Sequence, residues 1–248
     1  MTSKVEQFRA LHTPGNPLVL YNIWDAGSAR FVADAGAKAI ATGSYGVAEA
    51  NGFTDGEALP LELVLENLRR ILSVTDLPVT IDMEAGYGDM AEEVAVSVGK
   101  AAAMGAAGIN LEDRMPGETV LLGADEAAER IAAAAGTGLH VNARTDVYRG
   151  KDPGDYTSSM IDEVIGRSEK YAAAGAGSLF VPFLGDHAII RSICEASPLP
   201  VNVLWAPGRG TVAELASLGV ARISYGHQPW LWLMEKLRAD AKELYSDS

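Results

Sequence analysis

Eight short apolar runs, each followed by a helical stretch, predict an α/β fold closed as a (β/α)8 (TIM) barrel. A repeated punctuation supports this. Four Ala-rich helical stretches end in Gly, then a small or apolar residue, then a strand-like run: Ala35-Gly36-Ala37, Met104-Gly105-Ala106, Ala174-Gly175-Ala176 and Leu218-Gly219-Val220. Glycine there fits the left-handed helix cap that feeds a strand. Three other strand entries, Leu77-Pro78-Val79, Gly138-Leu139-His140 and Leu199-Pro200-Val201, fall between them, so helix and strand alternate throughout. The 248 residues suit one barrel, and no Pro/Gly/Ser linker or charge block divides them, so residues 1–248 are read as one domain with C-terminal helices.

In order, the expected strands are Leu18–Asn22, Ala39–Thr42, Val79–Asp82, Gly108–Leu111, His140–Arg144, Ser178–Val181, Val201–Leu204 and Arg222–Ser224. An open doubly wound sheet is the alternative, but the chain has no GxGxxG turn after its first strand. Polar residues collect at or near the C-terminal strand ends, the face on which barrel active sites are built. They are Trp24 and Asp25 after strand one, Gly43, Ser44 and Tyr45 after strand two, and Asp82 and Glu84 after strand three. Glu112 and Asp113 follow strand four, Arg144 and Asp146 strand five, and Asn202 lies on strand seven.

The stretch Ile81-Asp82-Met83-Glu84-Ala85-Gly86-Tyr87-Gly88 closes an apolar run with carboxylates at i and i+2, which a strand would place on one face, and with glycines that permit a tight turn. Such an oxygen-only pair suits a hard divalent cation, Mg²⁺ or Mn²⁺; the bland alternative is two surface acids at a strand end.

The formal charge of −13 and the lack of a dense Lys/Arg tract argue against nucleic acid and anionic membrane surfaces as partners. The single cysteine, Cys194, excludes an intrachain disulfide and fits a reducing compartment. Without a signal-peptide centre or a bilayer-length apolar run, the expected location is the cytoplasm. Cys194 sits in an apolar-periodic helix and reads as an inert thiol; His12, His140 and His187 read as structural or exposed, and His227 as a structural donor or a residue of the barrel mouth.

Several pieces together resemble the isocitrate lyase/phosphoenolpyruvate mutase superfamily: Asn22-Ile23-Trp24-Asp25 with Ser28-Ala29, Thr42-Gly43-Ser44, Asp82 to Gly88, Leu111-Glu112-Asp113 and Ala143-Arg144-Thr145-Asp146. They span strands one to five in order; beyond that the likeness is limited to the Leu179–Pro182 run and Pro200-Val201-Asn202. The resemblance implies Mg²⁺ held directly or through water by Asp82, Glu84 and Glu112, with Asp55 a further acid near the site. It implies a substrate carboxylate cradled around Gly43, Ser44, Tyr45 and Gly46, with Asn202 in contact range and Arg144 facing the oxygens of an α-oxo acid; Trp24 either touches substrate or packs the barrel mouth. Chelated Mg²⁺ would stabilise the enolate formed when a C–C or P–C bond breaks.

The loop after strand four departs from that family. Lyases there carry a Lys-(Lys/Arg)-Cys-Gly-His motif and mutases a Lys and an Asn, whereas this chain reads Arg114-Met115-Pro116-Gly117-Glu118-Thr119-Val120-Leu121-Leu122-Gly123. Glu118 and Arg114 are the replacement groups on offer, with solvated loop charges as the alternative; Arg144, Tyr45 and Glu118 form the expected catalytic set. The leading expectation is a Mg²⁺-dependent lyase cleaving a C–C bond of a small α-oxo or 2-hydroxy (di)carboxylate through an enolate. A phosphonopyruvate-type P–C mutase or hydrolase and a non-catalytic α-oxo acid binding protein are the alternatives. The stretch Pro229-Trp230-Leu231-Trp232-Leu233-Met234 is more apolar than a lone surface helix needs and resembles the family's intersubunit helices, which implies a homotetramer built as a dimer of dimers.

Overall fold

The computed structural model describes residues 2–246; residues 1, 247 and 248 of the expected domain lie outside the described residues. The strands β1 (Leu18–Leu20), β2 (Ile40–Ala41), β3 (Val79–Asp82), β4 (Gly108–Glu112), β5 (His140–Arg144), β6 (Ser178–Val181), β7 (Val201–Leu204) and β8 (Arg222–Ser224) are all parallel, in the order β1-β8-β7-β6-β5-β4-β3-β2. The gap between β1 and β2 is bridged beyond the strand ends: Ile23 N–H donates to Ala41 O at 2.9 Å, and Gly43 N–H to Ile23 O at 3.2 Å. The (β/α)8 barrel is therefore as expected, with β1 and β2 shorter than their apolar runs because pairing there passes to single bridges.

The helices are α1 (Lys4–Ala10), α2 (Ala26–Asp34), α3 (Ser44–Ala50), α4 (Leu61–Leu72), α5 (Ala91–Met104), α6 (Ala124–Ala135), α7 (Ser158–Ala173), α8 (His187–Ala196), α9 (Val212–Ser217) and α10 (Gln228–Ser246). The four punctuating glycines, Gly36, Gly105, Gly175 and Gly219, all have φ between 93° and 101° at the ends of α2, α5, α7 and α9, as the helix-cap reading requires. Where C-terminal helices were expected, one described helix, α10, follows β8. No described helix is long and apolar enough to cross a membrane.

Side chains alternate along the strands. Ile81, Ile109, Val141, Leu179, Val203 and Ile223 join one core with Val94 and Val98 of α5 and Ile131 of α6. The intervening positions are polar and tied across strands: Asn142 Nδ2 donates to Asn110 Oδ1 (2.8 Å), Ser178 Oγ to Asn142 Oδ1 (2.6 Å), and Arg222 Nη2 to Asn110 Oδ1 (3.2 Å). Below this layer α1 plugs the base. Phe8, fully buried, packs edge-on against His12 and His140, whose rings stack with centroids 4.3 Å apart. Gly108 is needed here because a Cβ would come within 2.9 Å of the Phe8 ring.

Candidate active site

The C-terminal strand ends surround a cavity of about 200 Å³. One side is acidic, with Asp82 and Asp55 beside Ser44 and Tyr45; the other is basic, with Arg144 and Arg149 against Phe180, Pro182 and Phe183. Asn110 and Ser224 also line it, together with Asn22, Gly226 and His227.

The acidic side is built by a backbone that leaves the strand conformation directly after Asp82. Glu84 (φ 49°) and Tyr87 (φ 53°) are left-handed, as are Glu57 (φ 57°) and Phe183 (φ 65°), and these are the four non-glycine residues with positive φ among those described. Such strained positions persist where the surroundings over-determine them. Here Arg130 of α6, buried, reaches across to donate to Ala85 O (2.6 Å), Gly88 O (2.8 Å) and Asp89 O (2.7 Å). Gly86 has φ 104° and its Cβ position lies 2.9 Å from Val94, while a Cβ on Gly88 would stand 2.5 Å from Glu93, so both glycines are required.

The backbone turns between the two acids yet leaves them side by side, both lining an adjoining crevice. Asp82 lines the cavity and makes only long contacts, accepting from Ser44 N at 3.4 Å and Glu84 N at 3.3 Å. In the crevice shared with Asp82, Glu84 Oε2 accepts from the Gly56 and Glu57 amides at 2.8 and 3.0 Å. The two acids stay neighbours although φ 49° at Glu84 ends the extended chain between them. Glu112 forms a third arrangement, a 2.7 Å ion pair with Arg144. Burial, then the charges of Asp82 and Asp55, push the Glu84 carboxyl up to about 8. Burial also raises Asp82, against the pull of Arg144, and raises Glu112 despite its ion pair.

Arg144 is a fixed charge. Its Nε and Nη2 donate to Asp146 Oδ1 and Oδ2 at 2.7 and 2.9 Å, and with Glu112 these partners outweigh burial and hold the guanidinium protonated. Asp146 also receives Arg114 Nε at 3.1 Å and Arg149 Nη1 at 3.3 Å. Asp146 thereby braces Arg144, and its buried carboxylate is kept ionised by the surrounding arginines.

Several expected site residues lie elsewhere. Asn202 is fully buried inside the barrel, donating to Ser224 Oγ at 3.2 Å; Ser224, one strand over, lines the cavity in its place. Trp24 packs edge-on against Trp230, and Gly46 gives these two indoles room, since its Cβ position is 3.3 Å from Trp24 and 3.4 Å from Trp230; neither residue lines the cavity. Glu118 is exposed on the β4–α6 loop, where a turn from Met115 and a 2.6 Å bond from Arg114 Nη1 to its carbonyl hold the backbone, and its carboxylate is not among the cavity-lining groups. Gly43, Ser44, Tyr45, Asp55, Asp82 and Arg144 do line it.

Asn110, Arg149, Phe183 and Ser224 were not foreseen, nor was Arg222 beneath them. Arg222 is fully buried, touches Asn110 and Ser224 and has no acidic partner within ion-pair distance; burial pulls its guanidinium down to about 9. Only the polar identity of positions facing the barrel interior hinted at these residues. Cys194 is inert as read, its thiol raised to about 12 by burial.

The acids that act on Asp82 or on which it acts, Asp55, Glu84 and Glu112, offer oxygen ligands, a set that fits Mg²⁺. No group of three or more His, Cys, Asp or Glu forms a cation cage among the described residues.

The family model described as phosphoenolpyruvate phosphomutase matches residues 8–245. A crystal structure from Burkholderia cenocepacia J2315, provisionally described as a phosphonomutase, is 50% identical and superimposes with a TM-score of 0.93 over 97% of this chain and 98% of that one. The 2-methylisocitrate lyase of Escherichia coli K12 is 30% identical over 88% of this chain and 76% of its own length. Oxaloacetate decarboxylase of Bradyrhizobium diazoefficiens is 27% identical over 92% and 80%.

Proposed function

Because this chain belongs to the phosphoenolpyruvate phosphomutase family, we propose that it is a Mg²⁺-dependent lyase cleaving a C–C bond of a small α-oxo or 2-hydroxy dicarboxylate. The observation that carries the reading is the two-sided cavity, Asp82 and Asp55 facing Arg144 and Arg149. The similarity to a 2-methylisocitrate lyase supports lyase chemistry.

Asp82 would hold the cation directly, with Glu84 and Glu112 reaching it through water and Asp55 adding charge. When bound, Mg²⁺ supplies Lewis-acid stabilisation of negative charge developing on a keto oxygen. Arg144, pinned by Glu112 and Asp146, presents charge without reorganising during the reaction. Ser44 orients a carboxylate beside Asp82, and the aromatic wall of Phe180 and Phe183 excludes water. Tyr45 packs edge-on against His227, ring centroids 5.8 Å apart, and is the proton-bearing group assigned to this side. It takes the work expected of Glu118.

A P–C bond reading is favoured by one observation, the 50% identity to the Burkholderia protein. The test is proton and phosphorus NMR of the protein with Mg²⁺ and oxaloacetate, methylisocitrate, dimethylmalate or phosphonopyruvate, with EDTA controls. Mg²⁺-dependent C–C cleavage, lost in Glu84→Ala, is expected. Full activity in Glu84→Ala would sink the metal-site assignment, and phosphate or phosphoenolpyruvate from phosphonopyruvate would replace the C–C reading. The proposal includes the cytoplasm as compartment and a homotetramer. A groove of about 500 Å³ lined by Tyr21, Trp24, Phe31, Val32 and Leu233 supports the latter.

A further inference from the structure

Arg149 stands apart from the other cations of the cavity. Arg144 is engaged by three contacts of 2.7–2.9 Å to Glu112 and Asp146, and Arg114, which does not line the cavity, spends its guanidinium on Asp146 and the Glu118 carbonyl. Arg149 has a single loose contact, 3.3 Å to Asp146, and its side chain is 44% exposed at the cavity wall. Within ion-pair distance Arg144, Arg149 and Arg114 share two carboxylates among the described residues, Asp146 and Glu112. The Asp82 charge acts on Arg144 as well, so Arg149 is the guanidinium left without a carboxylate of its own.

The guanidinium is also positioned. Its Cζ lies 5.3 Å from the centre of the Phe183 ring, whose other cationic neighbour is Arg144 at 5.7 Å. Phe183 is held at φ 65° by Arg209, which donates to Phe183 O at 3.1 Å and to Leu204 O at 3.2 Å. A strained aromatic, tied to the neighbouring loop and presented between two guanidiniums, is costly as mere packing.

Resting on the functional reading above, we propose that Arg149, propped on Phe183, is the specificity-determining residue of the cavity and binds the distal carboxylate of a four-carbon dicarboxylate. The proximal carboxylate and its neighbouring oxygen belong to the acidic side. A dicarboxylate thereby bridges both sides of the cavity, and a monocarboxylate leaves the Arg149 guanidinium unmatched. A planar guanidinium suits this duty through two parallel N–H···O bonds.

Calorimetry in Mg²⁺ with oxalate, L-malate and L-lactate tests it, since malate is lactate carrying a distal carboxylate. The wild type should prefer malate to lactate by about tenfold or more. Arg149→Gln should lose that preference, with oxalate and lactate affinities within about twofold of wild type, and Arg149→Lys should keep part of it. Thermal melting checks that both variants are folded. A preference for malate that survives in Arg149→Gln, or a wild type that binds oxalate without preferring malate, overturns the assignment of Arg149. A wild type that binds no oxalate and turns over no acid overturns the underlying site reading, and this inference with it.

Discussion

Arg130 is where the acidic loop is decided. Its three bonds to carbonyls of Ala85, Gly88 and Asp89 hold the turn that places Glu84 off the strand. Removing a charged donor to buried carbonyls costs about 1.5–3 kcal/mol per bond at most, so Arg130→Met should lower stability by about 3 kcal/mol and weaken oxalate binding. Urea unfolding with and without oxalate measures both. Arg222 should behave oppositely. It has no acidic partner, and Asn110 Oδ1 keeps its bond from Asn142 when the guanidinium goes. Arg222→Met is therefore expected within about 1 kcal/mol of wild type in urea unfolding, since replacing a buried charge by a packed apolar group is often neutral. Its affinity for oxalate should fall, because Asn110 and Ser224 at the cavity floor lose the group that orients them.

Helix α1 gives the barrel base a pH dependence. His12 and His140 are stacked and buried with no acid against them; burial, then Arg222, holds His12 down at about 3, and burial, then His12, keeps His140 well below its ordinary value. A histidine depressed in the folded state stays neutral there while the unfolded chain takes up a proton. Its stabilising effect is full above the unfolded value near 6.5 and is lost as pH falls from there toward 3. Between pH 7.5 and 5.0 His12 alone should cost about 2 kcal/mol. His12→Phe, keeping a ring against Phe8 and His140, should flatten the slope of urea-unfolding free energy against pH over that interval. An unchanged slope would show that other groups carry it.

The assembly is read from α10. Leu233 and Leu237 are 48% and 61% exposed on it, and Phe31 of α2 is 79% exposed beside the same groove as Leu233. Apolar groups in this number are ordinarily covered. Light scattering should give the mass of a tetramer for the wild type, and a smaller species for Leu233→Glu combined with Leu237→Glu. A wild-type monomer would remove the tetramer from the proposal.

The alternation of apolar runs and capping glycines made the barrel legible, because strand and helix periods and the left-handed conformation of Gly are local properties of the chain. Asp82, Ser44, Tyr45 and Arg144 were legible for a related reason: in this fold a polar residue just past a strand has few places to go but the mouth, whereas Asp55, beyond α3, was reached only through the family resemblance. Asn202, Trp24, Gly46 and Glu118 lie away from the cavity because their final positions depend on contacts remote in sequence: the Ser224 partner, the Trp230 indole and the course of a loop. Arg149 and Phe183 were not foreseen for the same reason. Adjacency between the β5–α7 and β6–α8 loops, and the 65° φ imposed through Arg209, exist only once the strands are side by side.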